Sequence, residues 1–345
     1  MGKTFLDMRP NCLDYAKVLA MYFVVLGHYG MTARYEIQNT AIWNTDYFIT
    51  MFHMPLFFIV SGMLHKPTTL KITWRKIYKS LLIPYFLIAF IIFFIIQVTH
   101  FLNNCFTLKD AVLHLLGILS SNDFLGADRY GGSLWFLFAL AIIKMLKAVT
   151  DNLNQTALFD FILCIIGIGF TFGGNILPFR IDSALVGFLF YCIGFYGKAL
   201  ISKILLLNKL QLITLCVLSL LFTMWASTFC LKYGEVGGAM SINAMRFGDY
   251  PLLFLFSSIV ASLGVLCFSK IFCHIRSFVI LTLSNGSIII LGFHWVVFLF
   301  IFNFYKTDNL VAAMFISGVV MTICYFIILF VERYIPILLG GRKTR

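Results

Sequence analysis

Long apolar runs separated by short polar stretches dominate the chain. Ten of them approach the roughly 20 residues that a helix needs to cross the hydrocarbon of a bilayer. They are 13–31, 47–64, 77–98, 133–150, 156–174, 183–201, 210–229, 250–269, 278–303 and 311–331. The runs are continuous rather than alternating over ten-residue strands, which excludes an outer-membrane barrel. The pattern predicts an all-α polytopic membrane protein with about ten transmembrane helices. Lys144 and Lys147 interrupt the fourth run, and Asp160 interrupts the fifth. A further amphipathic segment, Leu108–Leu119, is too short to cross and reads as an interfacial or re-entrant piece. With no repeat, low-complexity tract or soluble segment in view, residues 1–345 read as a single membrane domain.

Composition agrees. Hydrophobic residues make up 61% of the chain and charged ones 12%, and the mean hydropathy is +0.95. Soluble domains run near 45–50% and 25% on the first two counts, so a soluble enzyme and a disordered chain are excluded. The nine cysteines form no C-x-x-C or other metal-like spacing. Cys164, Cys192, Cys216, Cys267 and Cys324 fall inside apolar runs and read as small buried hydrophobes, not as a disulfide frame. The first apolar run contains Lys17 and His28, and no small-residue cleavage site follows it. It is expected to be a retained helix rather than a signal peptide.

The net charge of +12 does not indicate nucleic acid, because the basic residues are scattered between the apolar runs. It reads instead as topology. Ten spans put both termini on one side, and 19 of the 26 Lys and Arg residues fall there. The other side holds Arg34, Lys109, Arg129, Arg180, Lys232, Arg246 and Lys306, together with nine acidic residues. The positive-inside rule then places both termini in the cytoplasm.

Ionisable residues inside a bilayer are costly and are functional candidates by default. In the first run Lys17 and His28 stand eleven residues apart. That spacing returns to within about 20° on a helix and separates them by about 16 Å. Asp14, one turn from Lys17, can pair with it. The three form either a polar track leading to a deep imidazole, or a snorkelling lysine at one interface and a histidine near the other. In the second run His53 precedes Pro55, which can free carbonyls where a helix lines a polar cavity. The alternative for His53 is a simple bond to a neighbouring helix. The ninth run passes through Ser284, Asn285, Gly286 and Ser287 to His294. His28, His53 and His294 thus lie at matching depth, a pattern that favours a shared polar site. Three histidines could hold zinc in principle, but no H-x-x-x-H spacing occurs, so no metal is expected.

Arg75, Lys76 and Lys79 precede Pro84-Tyr85. They read as topogenic charge or, more sharply, as a phosphate clamp. Gly131-Gly132-Ser133-Leu134-Trp135 opens the fourth run. Its indole is either an interface anchor or a group that stacks on or donates to a sugar.

Together these residues resemble the acyltransferase-3 family of integral membrane acyltransferases. The resemblance rests on Leu13-Asp14 and Lys17, then ten residues, then His28 after Gly27. It continues through Phe52-His53-Met54-Pro55-Leu56-Phe57-Phe58, Ser61-Gly62, Arg75 with Leu81-Leu82-Ile83-Pro84-Tyr85, and Ser133-Leu134-Trp135-Phe136-Leu137. The stretch from Ser287 to His294 completes it. The segment Ile181-Asp182-Ser183-Ala184 leading into Phe190-Tyr191-Cys192-Ile193-Gly194 is similar to members that O-acetylate surface polysaccharides.

The resemblance implies transfer of acetyl from acetyl-CoA, as co-substrate with no bound cofactor, to a hydroxyl of an envelope glycan. It implies multi-pass residence in the cytoplasmic (inner) membrane of a bacterium. His28 is implied as the essential base, assisted by Lys17, where Lys replaces a more common Arg and loses its fork. Some members carry a fused esterase-like domain. This sequence stops at Arg345, so transfer is expected to finish in the membrane domain or on separate glycan-synthesis proteins. In the scheme that follows, Arg75, Lys76 and Lys79 take the phosphates of acetyl-CoA and Lys17 lines the path. His28 then deprotonates the acceptor. His53, Ser133 or Trp135 stabilises the oxyanion, and Asp182 orients a histidine. A ping-pong route through an acylated His28 fits the sequence equally well. The rival class, a secondary transporter or glycan exporter, predicts an inverted repeat or paired broken helices, and the sequence contains neither.

Overall fold

The computed structural model describes residues 5–33, 40–121, 133–174, 177–230, 241–275 and 277–341. Fifteen α-helices account for most of them. They are α1 (Phe5–Ala33), α2 (Thr40–Thr50), α3 (His53–Met63), α4 (Leu70–Ile77), α5 (Ile83–Leu102), α6 (Leu108–Ser120), α7 (Trp135–Asp151) and α8 (Thr156–Gly173). The second half holds α9 (Ile181–Tyr196), α10 (Lys198–Ile204), α11 (Lys209–Cys230), α12 (Pro251–Phe272), α13 (Phe278–Asn285), α14 (Ser287–Phe302) and α15 (Leu310–Tyr334). Among the described residues the only β-pairing is an isolated bridge between Ser241 and Arg246.

Each apolar run coincides with a helix or a broken pair of helices. Among the described residues seven stretches are long and apolar enough to cross a membrane: Thr45–Met63, Leu70–Leu102, Thr156–Gly173, Pro178–Tyr196, Lys209–Phe229, Pro251–Phe272 and Leu310–Tyr334. The pair α13–α14, bent by 83°, makes an eighth. The first and fourth runs correspond to α1 and to α7, which is 17 residues long; both fall outside that set. The amphipathic segment forms α6 and leaves Leu108, Val112, Leu116 and Leu119 exposed on one side. Large apolar side chains such as Phe94, Phe161, Leu218 and Phe315 also stand exposed on the outside of the bundle. In water that surface would be a liability; against lipid it is the expected one.

α1 is the axis of the assembly and packs against α2, α3, α12, α13, α14 and α15. The helix breaks have local causes. Between α2 and α3 the chain turns at Met51-Phe52, and Pro55 falls in the first turn of α3, where its missing N–H costs little. A π-helical turn, Tyr78–Leu82, joins α4 to α5 just before Pro84. Gly286 separates α13 from α14, and a Cβ there would overlap the Ile328 side chain. Gly62 of α3 and Gly194 of α9 let those helices meet backbone to backbone. Any side chain on the first would strike the Tyr191 carbonyl, and on the second the Ile59 carbonyl.

Two features differ from the reading of isolated charges. Lys147 is not a charge at a helix end; it is fully buried in the bundle. Arg180, counted above as a loop charge, is also fully buried. It donates to the backbone carbonyls of Ser121 and Asn243. The basic residues at 34, 129, 232, 276 and beyond 341 lie outside the described residues, as do Gly131 and Gly132.

Candidate active site

The site is built along one face of α1. Lys17, Met21 and His28 fall within about 40° of one another around that helix. At the lower end, Lys17 Nζ lies 3.3 Å from Asp14 Oδ1 and 3.1 Å from Ser284 Oγ, and Ser284 Oγ donates to the same Asp14 oxygen at 2.6 Å. The expected Asp14–Lys17 pair therefore forms, tied to the end of α13 beside the helix break.

About three turns up, His28 meets His294. His28 Nδ1 lies 2.7 Å from His294 Nε2, and His294 Nδ1 lies 2.7 Å from the Ile290 carbonyl. A carbonyl only accepts, so His294 carries its proton on Nδ1. Its Nε2 then accepts from His28 Nδ1–H, which leaves the lone pair of neutral His28 on Nε2. The Trp295 indole packs at 4.9 Å from the His28 ring and donates Nε1–H to Ser133 Oγ at 2.8 Å.

His53 does not join this pair. Its Nδ1 donates at 2.8 Å to the Ile49 carbonyl, which also accepts from the Phe52 N–H at the break between α2 and α3. Trp135, the first residue of α7, is buried beside Phe58 and Phe136. Asp182 orients no histidine among the described residues; its Oδ2 accepts from the backbone N–H of Leu177.

A cavity of about 510 Å³ opens below the imidazole pair. Lys17, Lys66, Lys76 and Lys144 line it, with Thr68, Thr73, Ser80, Asn285 and Ser287. Of the three basic residues expected to clamp phosphate, only Lys76 reaches it. Lys76 and Ile77 at the end of α4, with Ser80 and Leu81 one turn on, line the cavity, while Arg75 and Lys79 are exposed and do not line it. The apolar end of the cavity contains Met21, Phe57, Phe136 and Leu291. One helical turn beyond three of these come His53, Ser133 and Trp295, and two turns beyond Met21 comes His28. The imidazole pair does not itself line the cavity but follows one to two helical turns beyond its apolar end.

His65 and Tyr191 also line the cavity; His65 did not stand out in the sequence, and Tyr191 did so only as part of the Phe190–Gly194 stretch. The close approach of Gly62 and Gly194 brings them together. Tyr191 OH lies 2.8 Å from His65 Nδ1, and His65 Nε2 lies 2.7 Å from Asp151 Oδ2. The other Asp151 oxygen bonds Lys147 at 2.5 Å, and Lys147 reaches Asp160 Oδ2 at 2.9 Å. Thr150 and Tyr196 donate to Asp160, and the Phe195 ring covers the ammonium at 4.4 Å. Lys147 and Asp160, from the fourth and fifth runs, are therefore partners of each other, while Lys144 lines the cavity. Burial pushes the His65 imidazole below its ordinary value; hydrogen bonding and charge from Asp151 oppose the shift, and Lys147 and Lys144 add to it. Among the described residues no group of three or more His, Cys, Asp or Glu could hold a metal ion.

Residues 11–331 match the family model described as an acyltransferase domain. A curated relative, the nodulation protein NolL of Mesorhizobium japonicum, is 26% identical over 196 residues. That alignment covers 54% of this chain and 47% of the relative, so the chain spans about half the length of the curated protein it matches. No solved structure matches.

Proposed function

The chain belongs to the acyltransferase-3 family and is an acyltransferase, and from that premise we propose that it moves acetyl from cytoplasmic acetyl-CoA to a hydroxyl of an envelope glycan. The observation that carries this reading is a lysine-lined cavity whose apolar end lies one to two helical turns from the His28–His294 pair. The lysine end suits the phosphates of a nucleotide thioester. The apolar end suits its arm and acyl group. The rise from Lys17 to His28, about 16 Å, is the distance the arm must cover.

In this scheme the acceptor hydroxyl gives its proton to His28 Nε2 while its oxygen attacks the thioester carbonyl. The imidazolium that forms keeps its Nδ1–H bonded to His294. When the C–S bond breaks, the sulfur leaves with the proton from Nε2. Ser133 already accepts from Trp295, so its own O–H is available to the developing oxyanion. His53 serves the helix break, and Trp135 and Asp182 serve packing and the α9 start.

Counting α1 and α7 with the eight candidate spans is compatible with ten spans and both termini in the cytoplasm; on that reading the lysine end faces the cytoplasm across a bacterial inner membrane. A glycan on the opposite face, or separate glycan-synthesis proteins, would then supply the hydroxyl.

Purified protein in nanodiscs, given acetyl-CoA radiolabelled in the acyl group and a panel of envelope glycans, tests the reading. Label transfer that requires His28 is expected. Full transfer by a normally expressed His28→Ala variant would refute the assigned base. Failure of folded protein to bind acetyl-CoA would refute the donor and favour a transporter.

A further inference from the structure

The chain Tyr191–His65–Asp151 sits in the cavity wall, outside the chemistry assigned to His28, and has one unusual property. Its two ends bond the imidazole at both nitrogens. With His65 neutral, the ionised Asp151 must accept from Nε2–H, so Nδ1 is an acceptor and Tyr191 must donate its hydroxyl hydrogen to it. With His65 protonated, Nδ1 becomes a donor and Tyr191 becomes the acceptor. The phenolic hydrogen is then released to another partner.

Charge points the same way. Behind His65 lie Lys147 and two carboxylates, Asp151 and Asp160, a cluster of net charge −1 while the imidazole is neutral. A proton on His65 brings that cluster to neutrality. The charged groups that face the cavity around it are Lys66 beside it in sequence, Lys144 from α7, Lys76 from α4 and Lys17 from α1. An anion entering among those lysines would feel the buried negative cluster less once His65 is protonated, and it would in turn favour that protonation.

We infer that His65 is a positioning residue that takes up a proton when a phosphate-bearing ligand fills the cavity, so that Tyr191 accepts from His65 and its own O–H is freed to donate toward the cavity. The inference rests on the donor-site reading above and adds to it a ligand-linked protonation. Affinity for the phosphate-bearing donor then falls as pH rises, by up to about tenfold per pH unit where the linked proton is fully counted. Acyl transfer itself, at His28, needs no contribution from His65.

The test is calorimetry of ligand binding in nanodiscs, repeated in buffers of different ionisation enthalpy so that protons are counted directly. The probes are CoA and dephospho-CoA. The second lacks the terminal phosphate, which itself titrates near neutrality (a phosphomonoester has a second pKa of about 6), so uptake measured with it on the wild-type protein reports a protein group without need of a variant. His65→Gln and Tyr191→Phe follow. Uptake approaching one proton per ligand in the wild type, abolished in His65→Gln and accompanied by a flat pH profile, is expected. Tyr191→Phe should weaken binding most at low pH. Tight binding with no proton uptake, or the same uptake in His65→Gln, overturns the inference and leaves the donor site standing. No binding of either probe by folded protein overturns the donor-site reading itself.

Discussion

His28 and His294 share one hydrogen bond, 2.7 Å between Nδ1 and Nε2, with their rings inclined by only 11°. They come from helices 266 residues apart in sequence. The bond makes His294 the residue that sets which nitrogen of His28 is basic. His294→Ala should lower turnover by about a hundredfold or more, as loss of an orienting partner does in other imidazole bases. Acetyl-CoA binding should change little. Single-turnover transfer beside equilibrium binding separates the two.

Lys147, fully buried, is held by Asp151 and Asp160. Removing one member of such a cluster leaves an uncompensated buried charge, at a cost of about 3–5 kcal/mol. Lys147→Met should therefore lower the melting temperature in detergent by many degrees. Arg75→Ala, on an exposed side chain, should leave it within a degree or two. Equal melting of the two variants would refute the assignment.

The cavity separates four lysines from two basic residues close by in sequence. Lys76→Ala and Lys144→Ala should each raise the KM for acetyl-CoA several-fold, an effect that weakens as salt is added. Arg75→Ala and Lys79→Ala should not. A clamp made by the whole basic run would instead show the largest loss at Arg75, whose forked donors suit phosphate best.

Gly62 and Gly194 allow α3 and α9 to touch, and that contact sets Tyr191 beside His65. Gly62→Ala must push the helices apart at the Tyr191 carbonyl. Overpacking of this kind costs about 1–3 kcal/mol, and the variant should also lose the His65–Tyr191 coupling. Gly318, with open space around its Cα, should accept alanine without loss. Thermal unfolding of the two variants side by side is the check.

His65 carries a pH signature in stability. Its folded-state value is depressed, chiefly by burial. The unfolded chain therefore binds more protons as the solution is acidified. The stability it contributes is fully present above its ordinary value of 6.5 and is lost as pH falls through the lower folded value. Melting temperature should decline below about pH 6.5, and His65→Gln should flatten that part of the profile. A steeper acid decline in the variant would contradict the assignment.

The helical class, the positions of the apolar segments and the candidacy of Lys17, His28 and His294 were legible in the sequence. Each is written into local order: the length of an apolar run, the cost of a charge within it, the angular period of one helix. The Asp14–Lys17 pair, one turn apart, was legible for the same reason. Partners on different helices were not. Nothing in the spacing of Lys147, Asp151, Asp160 and His65 says that α3, α7, α8 and α9 converge on them, because that depends on how closely Gly62 and Gly194 let two backbones approach. Nor does the run Arg75–Lys79 reveal that α4 and the π turn after it pack with Lys76 toward the cavity and with Arg75 and Lys79 away from it. Periodicity determines which face of a helix a residue occupies; only the packed bundle decides what that face meets, and hence which of several costly polar residues share one site.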